Sequence, residues 1–166
     1  MTTPPEIRAA GPQDAPAMAA LINRIIDIGG TTGFRDHFDV ERIMAIFVAP
    51  PRFISCFMAE SGGKLAGFQG LVWVDPDWPE PYRLPADWAT IASYVDPDMH
   101  GLGVGSALMA ATLEAAQTAG AAYVDATIRR ENAGGLAYYG RMGFEDYAEI
   151  DEVIRKRRIN KFFFKD

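Results

Sequence analysis

The run Asp96-Pro-Asp-Met-His-Gly-Leu-Gly-Val-Gly-Ser106 limits what this chain can fold into more than any other stretch. An apolar segment leads into it, and three glycines alternate at Gly101, Gly103 and Gly105. An alanine-rich helical pattern then starts at once with Ser106, Leu108 and Met109. Alternate glycines let a backbone turn tightly through positive φ with no Cβ in the way. The first turn of the following helix leaves N–H groups without intrahelical partners at the positive end of the macrodipole. Strand, glycine turn and helix in that order suit an anion, above all a phosphate or pyrophosphate.

The remaining chain reads as one domain, 1–166. Hydrophobic residues make up 49% and charged residues 23% of the 166, which is a globular balance. A formal charge of −6 argues against a nucleic-acid partner, since phosphate contacts need clustered Lys and Arg. The one basic cluster, Arg155-Lys-Arg-Arg158, reads as a hairpin turn and solvated strand edge. Cys56 is the only cysteine and lies in an apolar run, so it reads as a small buried hydrophobe. With only His37 and His100, far apart, no histidine-based metal site is expected. There is no basic N-terminal region before an apolar stretch and no long apolar window, so the expectation is a cytoplasmic protein without a membrane partner.

Taken in order, Glu6 to Ala10 can form a first strand. Asp14 is placed to cap a helix over Ala15 to Ile28, whose Met18, Leu21, Ile22 and Ile25 recur at helical spacing. Gly29-Gly30 ends it, and Asp39 opens a second helix that Pro50-Pro51 stops. Phe53 to Ala59 and Lys64 to Val74 read as a hairpin around Ser61-Gly-Gly63. Gly67 and Gly70 suggest a bulge or a close backbone approach. Asp75 to Asp87 carries four prolines and reads as a long loop. Trp88 to Val95 is the strand before the turn, Gly103 to Ala119 the helix after it, and Ala122 to Ile128 the next strand. A helix from Ala133 to Met142 follows, then closing strands over Phe144 to Val153 and Arg157 to Phe163. The order β-α-α-β-β-β-α-β-α-β-β predicts an α/β protein with a mixed, mostly antiparallel sheet. The unit from 88 to 128 is its parallel crossover, expected right-handed.

A dinucleotide-binding turn is the natural rival. Gly101-x-Gly103-x-x-Ser106 departs from that fingerprint at its third position, and Asp125, the candidate ribose acid, sits mid-strand. Too little chain follows for a doubly wound sheet.

His100-Gly-Leu-Gly-Val-Gly-Ser-Ala-Leu108, after Val95-Asp-Pro97, resembles the Arg/Gln-x-x-Gly-x-Gly/Ala signature of the GCN5-related N-acetyltransferases, the GNAT superfamily. Asn132 with Ala137-Tyr-Tyr-Gly-Arg-Met-Gly-Phe144 resembles that family's Asn…Tyr-x-x-x-Gly-Phe segment. The resemblance implies acetyl-CoA as cofactor. Amides from His100 through Gly101, Leu102, Gly103 and Val104 to Gly105, with Ser106, would hold its pyrophosphate. Backbone at Tyr94 and Val95 would pair with the pantetheine, Asn132 would bond the same arm, and Tyr139 would protonate the departing thiolate. A thiol near pKa ~8.5 and a phenol near ~10 make a tyrosine a reasonable acid for that step. The plainer readings are a core tyrosine at 139 and a helix N-cap at Asn132, and the N-cap can coexist with cofactor binding.

Two positions depart from the family pattern. His100 stands where Arg or Gln is usual, so a permanent charge near the pyrophosphate gives way to one that depends on pH, or to a solvated side chain. Thr90 stands where many relatives carry a glutamate and cannot serve as a base. Asp75, Asp87, Glu152 and His37 are left as alternatives. Thr31-Thr-Gly-Phe34 and the long loop resemble the phosphinothricin-type branch, which implies a small amine or amino-acid-like acceptor. Phe34, Arg35, Trp73, Trp78 and Thr90 are the candidate pocket residues. The function expected is direct acetyl transfer to a small-molecule amine, and a homodimer is compatible with it. The competing classes are acetylation of a protein N-terminus or lysine and a non-catalytic acyl-CoA-binding module.

Overall fold

In the computed structural model, which describes residues 3–160, seven strands form one sheet flanked by helices. In chain order they are β1 (Glu6–Ala9), α1 (Ala15–Ile28), α2 (Val40–Ile43, continued by a π-helical turn over Met44–Val48), β2 (Phe53–Ser61), β3 (Lys64–Trp73) and β4 (Ala89–Val95). Then come α3 (Val104–Ala119), β5 (Tyr123–Arg129), α4 (Ala133–Arg141), β6 (Glu145–Ile150) and β7 (Val153–Ile159). The strands lie in the order β1-β2-β3-β4-β5-β7-β6. The predicted mixed, mostly antiparallel sheet is what forms: β4 and β5 are parallel and every other neighbouring pair is antiparallel.

The parallel contact is short. It consists of Ala89 opposite Val124 and Thr90 opposite Asp125. β4 stays paired to β3 along its whole length, from Ala89 to Val95. Beyond Thr90, therefore, β4 and β5 part, and a wedge opens in the sheet toward the glycine turn.

Side-chain alternation divides the core at this sheet. On one face Phe68 and Tyr94 pack with Met18 and Ile22 of α1 and with Phe38 and Phe47; the Phe68 and Tyr94 rings are 5.1 Å apart. On the other, Leu71, Ile91, Val124 and Ala126 pack with Met109 and Ala116 of α3 and Tyr139 of α4. Each large apolar side chain so buried contributes roughly 1.5–3 kcal/mol. Gly67 is needed for a close approach: a Cβ there would sit 2.8 Å from the Tyr94 carbonyl oxygen.

Two expectations are corrected. Asp14 precedes α1 but its side chain does not cap the helix. It accepts instead from the Gly11 amide at 2.8 Å and from two Arg8 nitrogens at 2.9 and 2.7 Å, because its backbone is already helical (φ −86, ψ −15) rather than extended as a side-chain N-cap requires. The closing hairpin turns at Asp151 (φ 51), earlier than expected, so Arg155 to Arg158 lie inside β7 rather than at a turn or a free edge. Each of these cations finds a partner there. Arg155 donates to the Tyr82 carbonyl, Lys156 to Asp146 and Arg158 to the Met142 carbonyl, while Arg157 lies over the Tyr123 ring. Residues 161–163 of the expected last strand are outside the described residues. The loop over 75–87 forms as expected; in it Tyr82 is tied down by Asp151, while Trp78 stays 55% exposed. Cys56 is buried, and burial pushes its thiol up to about 12. Among the described residues no helix is long and apolar enough to cross a membrane.

Candidate active site

The glycine turn closes the wide end of the wedge. After β4 a short turn over Pro97–Met99 is fixed by the Asp96 carboxylate, which accepts from the Asp98 amide at 2.9 Å. Arg24 of α1 donates to both Asp96 (2.8 Å) and Asp98 (3.0 Å), docking the turn on the first helix. Gly101 (φ 80) and Gly103 (φ 82) are left-handed, and a Cβ at either would meet nothing within 4 Å. Gly103 is the N-cap of α3, with no side chain engaging the first amides. The cradle is therefore open where an anion would lie. His100, Leu102 and Ser106 are exposed around it, whereas the Val104 side chain is 2% exposed in the core, so Val104 can offer only its amide.

Gly105 has a different purpose. A Cβ there would lie 2.7 Å from Cε1 of Tyr138, and the Tyr138 hydroxyl donates to the Gly105 carbonyl at 2.7 Å. That bond ends a polar chain buried under the wedge. The Gln69 amide donates to the Tyr138 hydroxyl (3.1 Å) and to Ser93 Oγ (2.8 Å), and Ser93 Oγ is 2.7 Å from the Tyr139 hydroxyl. Tyr139 is 7% exposed, between Phe144 and the apolar side of β5, and burial raises its phenol above the usual range. It is thus held protonated at neutral pH. Gln69, Ser93 and Tyr138 did not stand out in the sequence. The available signal was a glutamine in the middle of the apolar run Lys64 to Val74.

Tyr94 turns its ring into the core, where burial raises its phenol to about 12, and leaves only backbone toward the wedge, as does Val95 beyond the last β4–β5 pair. Asn132 caps α4 by accepting from the Gly135 amide at 2.9 Å, and its amide donates to the Thr31 carbonyl at 3.3 Å. The N-cap reading therefore holds, and the residue also ties α4 to the loop after α1.

The face opposite Tyr139 carries Thr90, half-buried, in register with Asp125. Asp125 is 2% exposed and accepts from the Tyr147 hydroxyl and from Thr127 Oγ1 at 3.1 Å. Burial raises its carboxyl above the usual range despite those bonds and the nearby Arg155 charge. Phe34 stacks edge-on with Phe38 at 4.9 Å beneath Arg42, and Arg35 is exposed in the same loop. Trp73 packs on the α3 and α4 face, away from Thr90, and Trp78 stands out in solvent; the structure does not gather these two with the others. Of the alternative bases, His37 pairs with Asp27 at 2.6 Å and Asp75 with Arg52 at 3.6 Å, while Asp87 and Glu152 are exposed.

The chain is similar in sequence and fold to known proteins. The model of the Acetyltransferase (GNAT) family matches residues 19–144, more than half of the chain. An L-methionine sulfoximine/L-methionine sulfone acetyltransferase of Pseudomonas paraeruginosa is 27% identical over 154 residues, covering 90% of this chain and 86% of that protein. An uncharacterized N-acetyltransferase of Methanocaldococcus jannaschii is 33% identical over 99 residues. A mycothiol acetyltransferase of Clavibacter michiganensis is 38% identical over 97. The chain spans only 42% and 28% of the length of these last two. Among solved structures, a phosphinothricin acetyltransferase of Sinorhizobium meliloti in complex with AcCoA superposes with a TM-score of 0.80 at 13% identity, covering 99% of this chain and 93% of that one. A GCN5-related N-acetyltransferase of Kribbella flavida gives 0.78 at 19%, covering 93% and 97%.

Proposed function

The chain belongs to the acetyltransferase (GNAT) family, and on that footing we propose that it transfers an acetyl group from acetyl-CoA directly to the primary amine of a small, amino-acid-like molecule. The observation that carries this reading is the parting of β4 and β5 beyond Thr90, with the open Gly101–Gly103 cradle at one end and Tyr139 beside it. A relative matched over 90% of this chain is named for L-methionine sulfoximine and L-methionine sulfone, which supports an amino-acid-like acceptor.

The chain's residues fit acetyl-CoA on their own geometry. Free amides at the start of α3, with no Cβ over Gly101 or Gly103, would take the pyrophosphate. The free edge of β4 at Tyr94 and Val95 would take the pantetheine amides as a strand takes its neighbour. When bound, acetyl-CoA supplies a thioester whose C–S bond breaks as the amide C–N bond forms, leaving a thiolate that needs a proton. Tyr139 holds that proton, and Ser93 Oγ, itself fixed by Gln69, orients the hydroxyl. No cysteine lies in the site, as Cys56 is buried in the α1 core, so both substrates would have to be held together.

The test is thiol release from acetyl-CoA over a panel of amines, amino acids and peptides, with L-methionine sulfoximine included. Turnover with small amines and none with peptides supports the reading. Binding of acetyl-CoA without turnover on any acceptor would replace it with a non-catalytic binding module.

A further inference from the structure

Resting on the acetyl-transfer reading, we propose that Thr127 and Asp125 accept the proton that the acceptor amine must lose. The Thr127 hydroxyl takes a proton from the ammonium as it passes its own to Asp125 Oδ2.

Position is the first argument. β4–β5 pairing ends at Thr90 opposite Asp125, so Asp125 marks the apex of the wedge. Thr127 is the next residue of β5 on the same face, past the point where the strands part, and it is exposed. Val124, Ala126 and Ile128 point the other way, into the cluster that holds Tyr139. The wedge therefore has a proton donor on one face and the Thr127 hydroxyl on the other. A direct transfer needs that division, because the leaving group gains a proton while the nucleophile loses one.

Chemistry is the second argument. A threonine hydroxyl alone is far too weak a base. Here its hydrogen is already committed to a carboxylate at 3.1 Å, which leaves its lone pairs for an incoming N–H. The groups facing Asp125 do not compete for the proton. From β6 comes the Tyr147 hydroxyl, which donates to Oδ1; from β4 comes Thr90; from β7 come Arg155 and Arg157. Arg155 spends two guanidinium nitrogens on the Tyr82 carbonyl, and Arg157 lies over the Tyr123, Tyr147 and Trp88 rings. Burial makes Asp125 hold a proton more readily than an exposed carboxylate does. The step balances: one ammonium N–H and one Thr127 O–H break, an O–H forms at Thr127 and another at Asp125, and a cation and an anion become two neutral groups.

The test compares Thr127→Val, Thr127→Ser and Asp125→Asn with wild type over pH 6–9, using L-methionine sulfoximine or the fastest amine of the panel. Thr127 is exposed, so its variants remain informative even if Asp125→Asn folds poorly. Thr127→Val should lower kcat/KM for the amine about 10²-fold at pH 7 and leave KM for acetyl-CoA within about twofold. The deficit should shrink as pH rises and the amine loses its proton in solution, and Thr127→Ser should recover most of it. A second measurement needs no substrate. The carboxyl ¹³C signal of Asp125 should titrate above the ordinary aspartate range but below the working pH, and higher in Thr127→Val, where a hydrogen bond to the ionised form is gone. A Thr127→Val profile equal to wild type, a pH-independent loss that serine does not recover, or an Asp125 carboxyl that titrates no higher than an exposed aspartate or is already protonated at the working pH would overturn the proposal. In those cases wild-type turnover leaves the transfer reading standing. A wild type that acetylates no amine overturns both.

Discussion

The Tyr138 ring lies so close to Gly105 that a Cβ there would be 2.7 Å from Cε1, while its hydroxyl donates to the Gly105 carbonyl. The first turn of α3 and the middle of α4 are thereby joined, and Gly105 is glycine because of a tyrosine rather than because of a phosphate.

Gly105→Ala should therefore destabilise the fold. In an open helix the change would gain roughly 0.5–1 kcal/mol, but overpacking costs about 1–3 kcal/mol and should win. Tyr138→Leu in the same chain should relieve the clash, so the pair should be less costly than the sum of the single changes. Urea melts of the four proteins measure this; additive effects would show that the ring moves aside freely.

Gly103→Ala should behave differently. No atom opposes its Cβ, so the cost is the left-handed φ alone, roughly 1–2 kcal/mol. The rise in melting temperature on adding acetyl-CoA should also shrink, since the cradle amides shift with the backbone. A variant stabilised as much as wild type would move the pyrophosphate site elsewhere.

Tyr139→Phe keeps the ring against Phe144 and removes one hydroxyl. kcat should fall by about 10²–10⁴ while acetyl-CoA affinity barely changes. Ser93→Ala leaves the phenol in place but unoriented, and a loss of about tenfold in kcat is expected. Rates of CoA release and thermal shifts with acetyl-CoA separate the two effects; a drop of less than about fivefold for Tyr139→Phe would make it a core residue.

Asp14 supplies a pH dependence of stability. Its bond with Arg8 holds the carboxyl below the usual range. A depressed folded-state pKa gives stability that is present above the unfolded value, about 3.9, and is lost as pH falls through the folded value. Asp14→Asn should thus be destabilising at pH 7, by a deficit that is smaller at pH 2. Denaturant midpoints at the two pH values decide it, and an equal deficit at both would mean packing rather than charge.

Local signals were enough for the elements. Gly29-Gly30, Asp39, the prolines of 75–87 and the 3.6-residue spacing of Met18, Leu21, Ile22 and Ile25 act over a few residues, so the sequence reading and the observed helices agree within a residue or two. The closing hairpin was misplaced for the same reason. Nothing local shows that Tyr82, Asp146, the Tyr123 ring and the Met142 carbonyl would receive four adjacent cations, so they read as solvated.

The sequence by itself determined the glycine turn, the strand before it and the helix after it, because each is set by a short-range backbone or spacing rule; Tyr139 was singled out by the family resemblance alone. Only the tertiary structure decided that β4 leaves β5 after two residue pairs, and that choice creates the wedge. It also decided that Ser93, held by Gln69, reaches Tyr139 and that Asp125 meets Thr90, Thr127 and Tyr147 across three strands. Strand pairing and the burial of polar groups are fixed by partners far away in sequence. A buried glutamine or aspartate becomes legible only when the groups that satisfy it are in place.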